Sequence, residues 1–317
     1  MRDTSLIAIE RNPAPVRFFA ILLVVFLGVT LAWAVAARKL AAVHFSPTRL
    51  TASDANLGAL VKYAAAERKD VVWVGSSLTA ALSERYFTIP NSYNLGLSGG
   101  SPVTALEIVE RLPSPPEVVI VETNILDRPV DQTLLDRPWD RFDEPVVSLL
   151  WNFYRPLHLI PAAVFYSPEK IRAAAATRRQ NLLEEPSTYR GLPDGARKEL
   201  ASLDGRLVRH DLEATNAARL IDAKDRLRER GVEVYFIHLP YAPEFQAHSY
   251  STRAQSLISG NSTYVCDVCV DLPFLVPISQ LGWVDGQHLN ERSSVLVIDA
   301  VEGLLRSRKK ASYKIPW

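Results

Sequence analysis

Sulfur is scarce in this chain, with two cysteines and a single methionine among 317 residues. A zinc site built on two cysteine pairs is therefore excluded, and no histidine stands at metal-ligand spacing from Cys266 and Cys269. In "YVCDVCVDL" the pair could form a disulfide, a redox couple or two separate thiols. In an extended strand residues three apart face opposite ways, which favours buried, unpaired thiols. An excess of charge of either sign is also missing: 36 basic residues against 35 acidic ones leave a net charge of +1. That balance gives no electrostatic footprint for a polyanion, so no nucleic-acid partner is expected. No repeat or low-complexity tract occurs.

Charge is missing altogether from one stretch, residues 18–37, "FFAILLVVFLGVTLAWAVAA". Twenty such residues match the length of a helix that crosses a bilayer's hydrocarbon. The alternative is a cleaved signal peptide, with Ala34-Val35-Ala36 as the cleavage site, but the apolar run exceeds a usual signal core. Residues 18–37 are therefore expected to be an uncleaved transmembrane anchor in contact with the lipid bilayer, after a short tail over 1–17. Arg2, Arg11 and Arg17 before it are balanced by Arg38, Lys39 and Arg49 after it, so charge does not orient it.

Residues 38–68 read as a connector and a helix with Ser53 as its N-cap, and the folded domain is expected over 69–317. "DVVWVG" (70–75) and "PEVVIVETN" (116–124) are short apolar runs of the kind that form strands buried on both faces. "TALEIVERL" (104–112) has helical spacing. "EATNAARLIDAKDRLRERG" (213–231) is an amphipathic helix ended by glycine, followed by the strand "VEVYFIHLP". A last helix follows Asn290, its expected N-cap. Strands alternating with helices predict a three-layer α/β/α sandwich with a mainly parallel sheet. An insertion at about 127–212 carries Trp139, Trp151, Phe153 and Tyr154, which suit either a core or a sugar-stacking platform.

In such sheets ligands collect at the carboxyl ends of the strands. Ser77, in "VVWVGSSLTAAL", lies where the first strand gives way to a helix, a place that on its own suits a helix N-cap better than a nucleophile. "YNLGLSGGS" (93–101) offers backbone N–H groups from a glycine-rich loop. Asn124 ends the next strand with a side-chain amide. "DGQHLN" supplies His288 as a general base with Asp285 three residues before it, placed to hold the imidazole. The loop "GLSGG" lacks the spaced glycines of a dinucleotide fingerprint, and no phosphate-loop lysine follows it.

Together, "GSSL" (75–78), "NLGLSGG" (94–100), "ETN" (122–124) and "DGQH" (285–288) resemble, in order, the four blocks of the SGNH/GDSL hydrolase superfamily. The resemblance implies an SGNH/flavodoxin-like fold and a serine esterase or O-acyltransferase. It implies Ser77 as nucleophile, His288 as base and Asp285 as its orienter. The oxyanion hole would comprise the Gly99 N–H, the Asn124 amide and the Ser77 N–H, with no metal or cofactor. Two positions depart from the pattern: Ser76 replaces the first block's usual aspartate, and Ile125 follows Asn124 where an aspartate is frequent. The anchor, the insertion and the "HLN" ending resemble membrane-anchored members that act on cell-envelope or exported polysaccharides. From these follow an acylated carbohydrate or acyl donor as ligand, a membrane-bound O-acyltransferase as partner, and a bacterial inner-membrane location with the catalytic domain on the periplasmic side. The alternative function is a catalytically silent, membrane-anchored scaffold or glycan-binding subunit.

Overall fold

The computed structural model describes residues 19, 21–32, 52–137, 139, 168–186, 191–192, 194–203, 210–246, 249–260, 269–270 and 275–312. Five strands, β1 (Val71–Gly75), β2 (Ser92–Gly96), β3 (Val118–Glu122), β4 (Glu233–Ile237) and β5 (Cys269–Val270), form one sheet in the order β2-β1-β3-β4-β5. Every adjacent pair in it is parallel. This is the flavodoxin-like strand order, whose direction reverses between β1 and β3 and opens a crevice at their carboxyl ends. The helices are α1 (Ala52–Ala64), α2 (Ser77–Ala80), α3 (Pro102–Arg111), α4 (Gln132–Leu135), α5 (Pro168–Glu184), α6 (Asp194–Leu203), α7 (His210–Glu229), α8 (Pro243–Gln246), α9 (Ser249–Gly260) and α10 (Glu291–Ser312).

Side chains alternate along each strand, and the alternation splits the core into two layers. Val72, Val74, Val119, Val121 and Phe236 face one side and pack with Leu60 and Tyr63 of α1, Leu106 of α3 and Leu220 of α7. Val71, Trp73, Ile120, Tyr235 and Ile237 face the other side, against Val295, Ile298 and Val301 of α10. Helices therefore cover both faces, as a parallel sheet requires.

Three local expectations change. Ser92–Gly96, within a stretch expected to form a loop, is a strand at the edge of the sheet, paired with β1 in the register Val71↔Ser92 to Gly75↔Gly96. Its asparagine and glycine disfavour strand, and pairing overrides that preference. The helix expected in the connector, α1, packs into the first core layer through Leu60, Val61 and Tyr63. It begins at Ala52, so Ser53 sits inside its first turn rather than at its N-cap. At the last helix Asn290 does cap, its Oδ1 accepting the Ser293 N–H at 2.9 Å.

The described parts of the insertion contribute to both layers: Leu135 and Trp139 are buried in the first, Leu182, Leu192 and Ala196 in the second, and Arg179 of α5 pairs with Asp299 of α10 at 2.5 Å. Trp139 is core, 3% exposed, its indole N–H donating to the Leu134 carbonyl at 2.7 Å. Trp151, Phe153, Tyr154 and Cys266 lie outside the described residues, and of Cys269 only its place at the start of β5 is described. Among the described residues no helix is long and apolar enough to cross a membrane. Of the expected anchor, residues 19 and 21–32 are described, all helical, with large apolar side chains from Phe19 to Leu31 more than half exposed.

The carboxyl ends of β1 and β2 carry the register pair Gly75 and Gly96, and the first turn of α2 rests on them. A Cβ at Gly96 would lie 2.1 Å from the Ala80 nitrogen and 2.6 Å from its Cα, backbone atoms that cannot swing aside. Gly96→Ala should therefore cost roughly 3 kcal/mol, read as a lower urea midpoint; an unchanged midpoint would show that α2 is not seated on β2.

Candidate active site

Ser76 and Ser77 have different tasks. Ser76 is the N-cap of α2: its backbone is extended, and its hydroxyl accepts the Leu78 N–H at 3.2 Å. The same hydroxyl donates to Glu122 at the end of β3 at 2.6 Å, and Ser76 is fully buried. With capping assigned to Ser76, the side chain of Ser77 is left half-exposed at the crevice.

His288 reaches that hydroxyl from the far end of the chain, with Nε2 3.1 Å from Ser77 Oγ and Nδ1 2.7 Å from Asp285 Oδ2. Burial alone would raise the Asp285 carboxyl. Hydrogen bonds from the His288 ring and backbone, with the Gln287 N–H, outweigh it and hold the group at about 2. Asp285 is then an acceptor only, so the proton of neutral His288 sits on Nδ1 and Nε2 turns a lone pair toward Ser77. Asp285 Oδ1 also accepts the His288 N–H at 2.8 Å and the Gln287 N–H at 3.1 Å, closing the turn that carries both residues.

That turn tips a small hairpin joined by the Trp283↔Leu289 bridge and the Val284 N–H to His288 carbonyl bond at 2.9 Å. The hairpin is pinned on two sides. The Trp283 indole donates to the Pro240 carbonyl at 2.9 Å, and the Gly282 N–H donates to Ser293 Oγ of α10 at 2.7 Å. The tip Gly286 is also bounded by Leu192 of the insertion and Phe245 of α8.

Below the serines lies Glu122, a residue in the "ETN" block to which the sequence assigned no role. Its carboxylate is 1% exposed and accepts from Ser76 N–H at 2.7 Å, Ser76 Oγ at 2.6 Å, Asn124 N–H at 2.8 Å and Ile125 N–H at 3.2 Å. Burial pushes its pKa up, against the pull of those donors. The signal for it in the sequence is an acidic residue closing an otherwise apolar strand, since such a group must find donors.

Asn124 is fully buried and faces the next strand end. Its Oδ1 accepts the Leu239 N–H and its Nδ2 donates to the Leu239 carbonyl, both at 2.7 Å. The same nitrogen lies 3.4 Å from His238 Nε2. Burial pushes the His238 imidazole down to about 4, so it is neutral at pH 7. One N–H of the Asn124 amide is thus spent on Leu239 and the other is directed toward His238.

Gly99 lies in the turn after β2 with φ +76°, a conformation that favours glycine, and the Arg128 guanidinium stands 3.6 Å from where its Cβ would be. Of the five residues expected at the site, Ser77, His288 and Asp285 form one hydrogen-bonded chain. Asn124 sits at the end of β3 beside β4, and Gly99 in the loop after β2. Among the described residues no group of three or more His, Cys, Asp or Glu side chains could hold a metal ion.

No family model, curated protein or solved structure matches this chain.

The two serines should separate by measurement. Ser76→Ala removes a cap and strands buried donors and acceptors around Glu122, so a loss of roughly 2–4 kcal/mol is expected in urea unfolding. Ser77→Ala should change stability by less than about 1 kcal/mol; equal losses would refute the division of labour.

Proposed function

We propose that the protein is a serine acyl-transfer enzyme of SGNH type, an O-acetyltransferase or acetylesterase that works through an acyl-enzyme on Ser77. The observation that carries this reading is the unbroken chain Ser77 Oγ, His288 Nε2, His288 Nδ1 and Asp285 Oδ2, with contacts of 3.1 and 2.7 Å. An acceptor-only carboxylate fixes the tautomer that leaves Nε2 basic, and the imidazole takes the hydroxyl proton as Ser77 Oγ bonds to an ester carbonyl carbon. The negative charge that develops on the carbonyl oxygen is met by the Gly99 and Ser77 backbone N–H groups, and the Asn124 amide completes the hole only by turning its second N–H away from His238. The tetrahedral centre collapses, and His288 returns its proton to the departing alkoxide. A sugar hydroxyl or water, deprotonated in turn by His288, releases the acyl group.

The place of the domain at a membrane is part of the same proposal. A charge-free run over 18–37 and the exposed apolar side chains of its described helical residues support a bilayer anchor. With the active domain on the periplasmic side of a bacterial inner membrane, the substrate is an acylated carbohydrate of the cell envelope or of an exported polysaccharide. A membrane-bound O-acyltransferase is the partner that would supply the acyl group. One observation favours the second reading, a catalytically silent subunit: the Asn124 amide is already engaged by Leu239, with its remaining N–H directed toward His238.

Turnover of nitrophenyl acetate by the full chain separates the two. Ser77→Ala should abolish it, and Asp285→Asn should lower kcat by about 10⁴, the size of effect seen when a triad carboxylate is neutralised. Wild-type turnover no higher than that of Ser77→Ala would support the silent subunit. Product masses after incubation with an acetyl donor and oligosaccharides then divide the enzymes, since acetylated sugar marks a transferase and acetate alone an esterase.

A further inference from the structure

The loop that carries Gly99 is held from outside the sheet by α1. Asn56 grips one residue of it twice: its Oδ1 accepts the Ser98 N–H at 2.8 Å, and its Nδ2 donates to the Ser98 carbonyl at 3.1 Å. The second bond matters most, because the Ser98 carbonyl and the Gly99 N–H belong to the same peptide group. That group is planar and trans, so its C=O and N–H point in opposite directions. An amide that holds the Ser98 carbonyl toward α1 therefore aims the Gly99 N–H away from α1. Gly99, at φ +76°, gives the next link of the chain the freedom to accept that orientation.

The rest of the loop is fixed as well. The Leu97 N–H donates to the Gly75 carbonyl at 2.8 Å, the Gly100 N–H to the Leu97 carbonyl at 2.8 Å, and Ser101 caps α3 through the Val103 N–H at 3.3 Å. Among the described residues the Gly99 N–H itself has no recorded acceptor, so this donor is held in place without being used. From these contacts we infer that Asn56 is a positioning residue for acyl transfer, which orients the Gly99 N–H as an oxyanion donor by clasping the peptide that carries it. The inference rests on the acyl-transfer reading of the site. It also ties that site to the membrane side of the chain, because only residues 38–51 lie between the end of the apolar run at Ala37 and the start of α1 at Ala52.

Two substitutions in the full chain separate aim from mere anchorage. Asn56→Asp keeps an acceptor for the Ser98 N–H but replaces the donor to the Ser98 carbonyl with an oxygen, whereas Asn56→Ala removes both. If the carbonyl bond sets the aim, both variants lose kcat on nitrophenyl acetate by about 100-fold, the size of effect for a misplaced oxyanion donor. KM should stay within a few-fold of wild type, and the pH profile of kcat should keep its shape. Full activity in Asn56→Asp, or in both variants, overturns the assignment. So does a loss of kcat that merely follows a fall in the urea midpoint. Should the wild-type chain transfer no acyl group, the acyl-transfer reading fails by itself, and hydrogen exchange still tests the clasp. Asn56→Asp must then speed exchange at Gly100, whose N–H donates to the Leu97 carbonyl, and leave Leu78 unaffected; unchanged exchange at Gly100 overturns the clasp.

Discussion

A single buried carboxylate, that of Glu122, joins the two strand ends on which the site is built. It closes β3, the strand beside the point where the sheet reverses direction, and gathers the Ser76 N–H, the Ser76 hydroxyl and the Asn124 and Ile125 N–H groups. A carboxyl group in so dry a place is costly unless donors surround it, and the same donors lose heavily if it is removed. That reciprocal dependence holds the turn after β1 at a set height above the turn after β3. Ser77 and Asn124, the candidate site residues just beyond each strand end, inherit their placement from it. Ser76 stands where the first block of the resembled pattern usually has an aspartate, and the carboxyl comes instead from the neighbouring strand.

Around this joint the site draws on four separate parts of the chain. The glycine pair Gly75 and Gly96 lets α2 settle directly on the sheet, so that the first helical residue after the cap is the serine facing the crevice. The hairpin at 283–289 is braced by Pro240 on one side and by Ser293 of α10 on the other, and so brings His288 to a residue 211 positions earlier. Asn56 reaches in from α1 to the loop after β2. Each contact is short, and on the acyl-transfer reading together they would preorganise charge stabilisation that water would otherwise have to rearrange to supply.

Much of the architecture was legible in the sequence because its signals are local. Apolar runs ending in turn residues marked β1, β3 and β4, and alternation with helices implied a parallel sheet and the edge along which to search. Ser77, His288 and Asp285 were legible for the same reason: each sits in a short stretch whose place at a strand or helix end can be read directly. β2 was not, since an asparagine- and glycine-containing edge strand owes its form to β1 rather than to its own propensity. Nor were the roles of Glu122 and Asn56. Glu122 looks like an ordinary strand-end acid until its donors are seen to come from the turns after two strands, and Asn56 gains meaning only through a residue 42 positions away. Asn124 illustrates the remaining gap: its position at a strand end was readable, but the pairing of its amide with Leu239 depends on how far β4 extends.

The most direct test of the account is to look for the covalent bond it requires. The full chain is mixed with an activated acetyl ester, quenched in acid within a fraction of the turnover time, and digested for peptide masses. The account predicts an acetyl group on Ser77 that disappears when hydroxylamine or an oligosaccharide is added before the quench, and that does not form in His288→Ala. An acetyl group on Ser76, or none on the peptide that contains both serines, would contradict it.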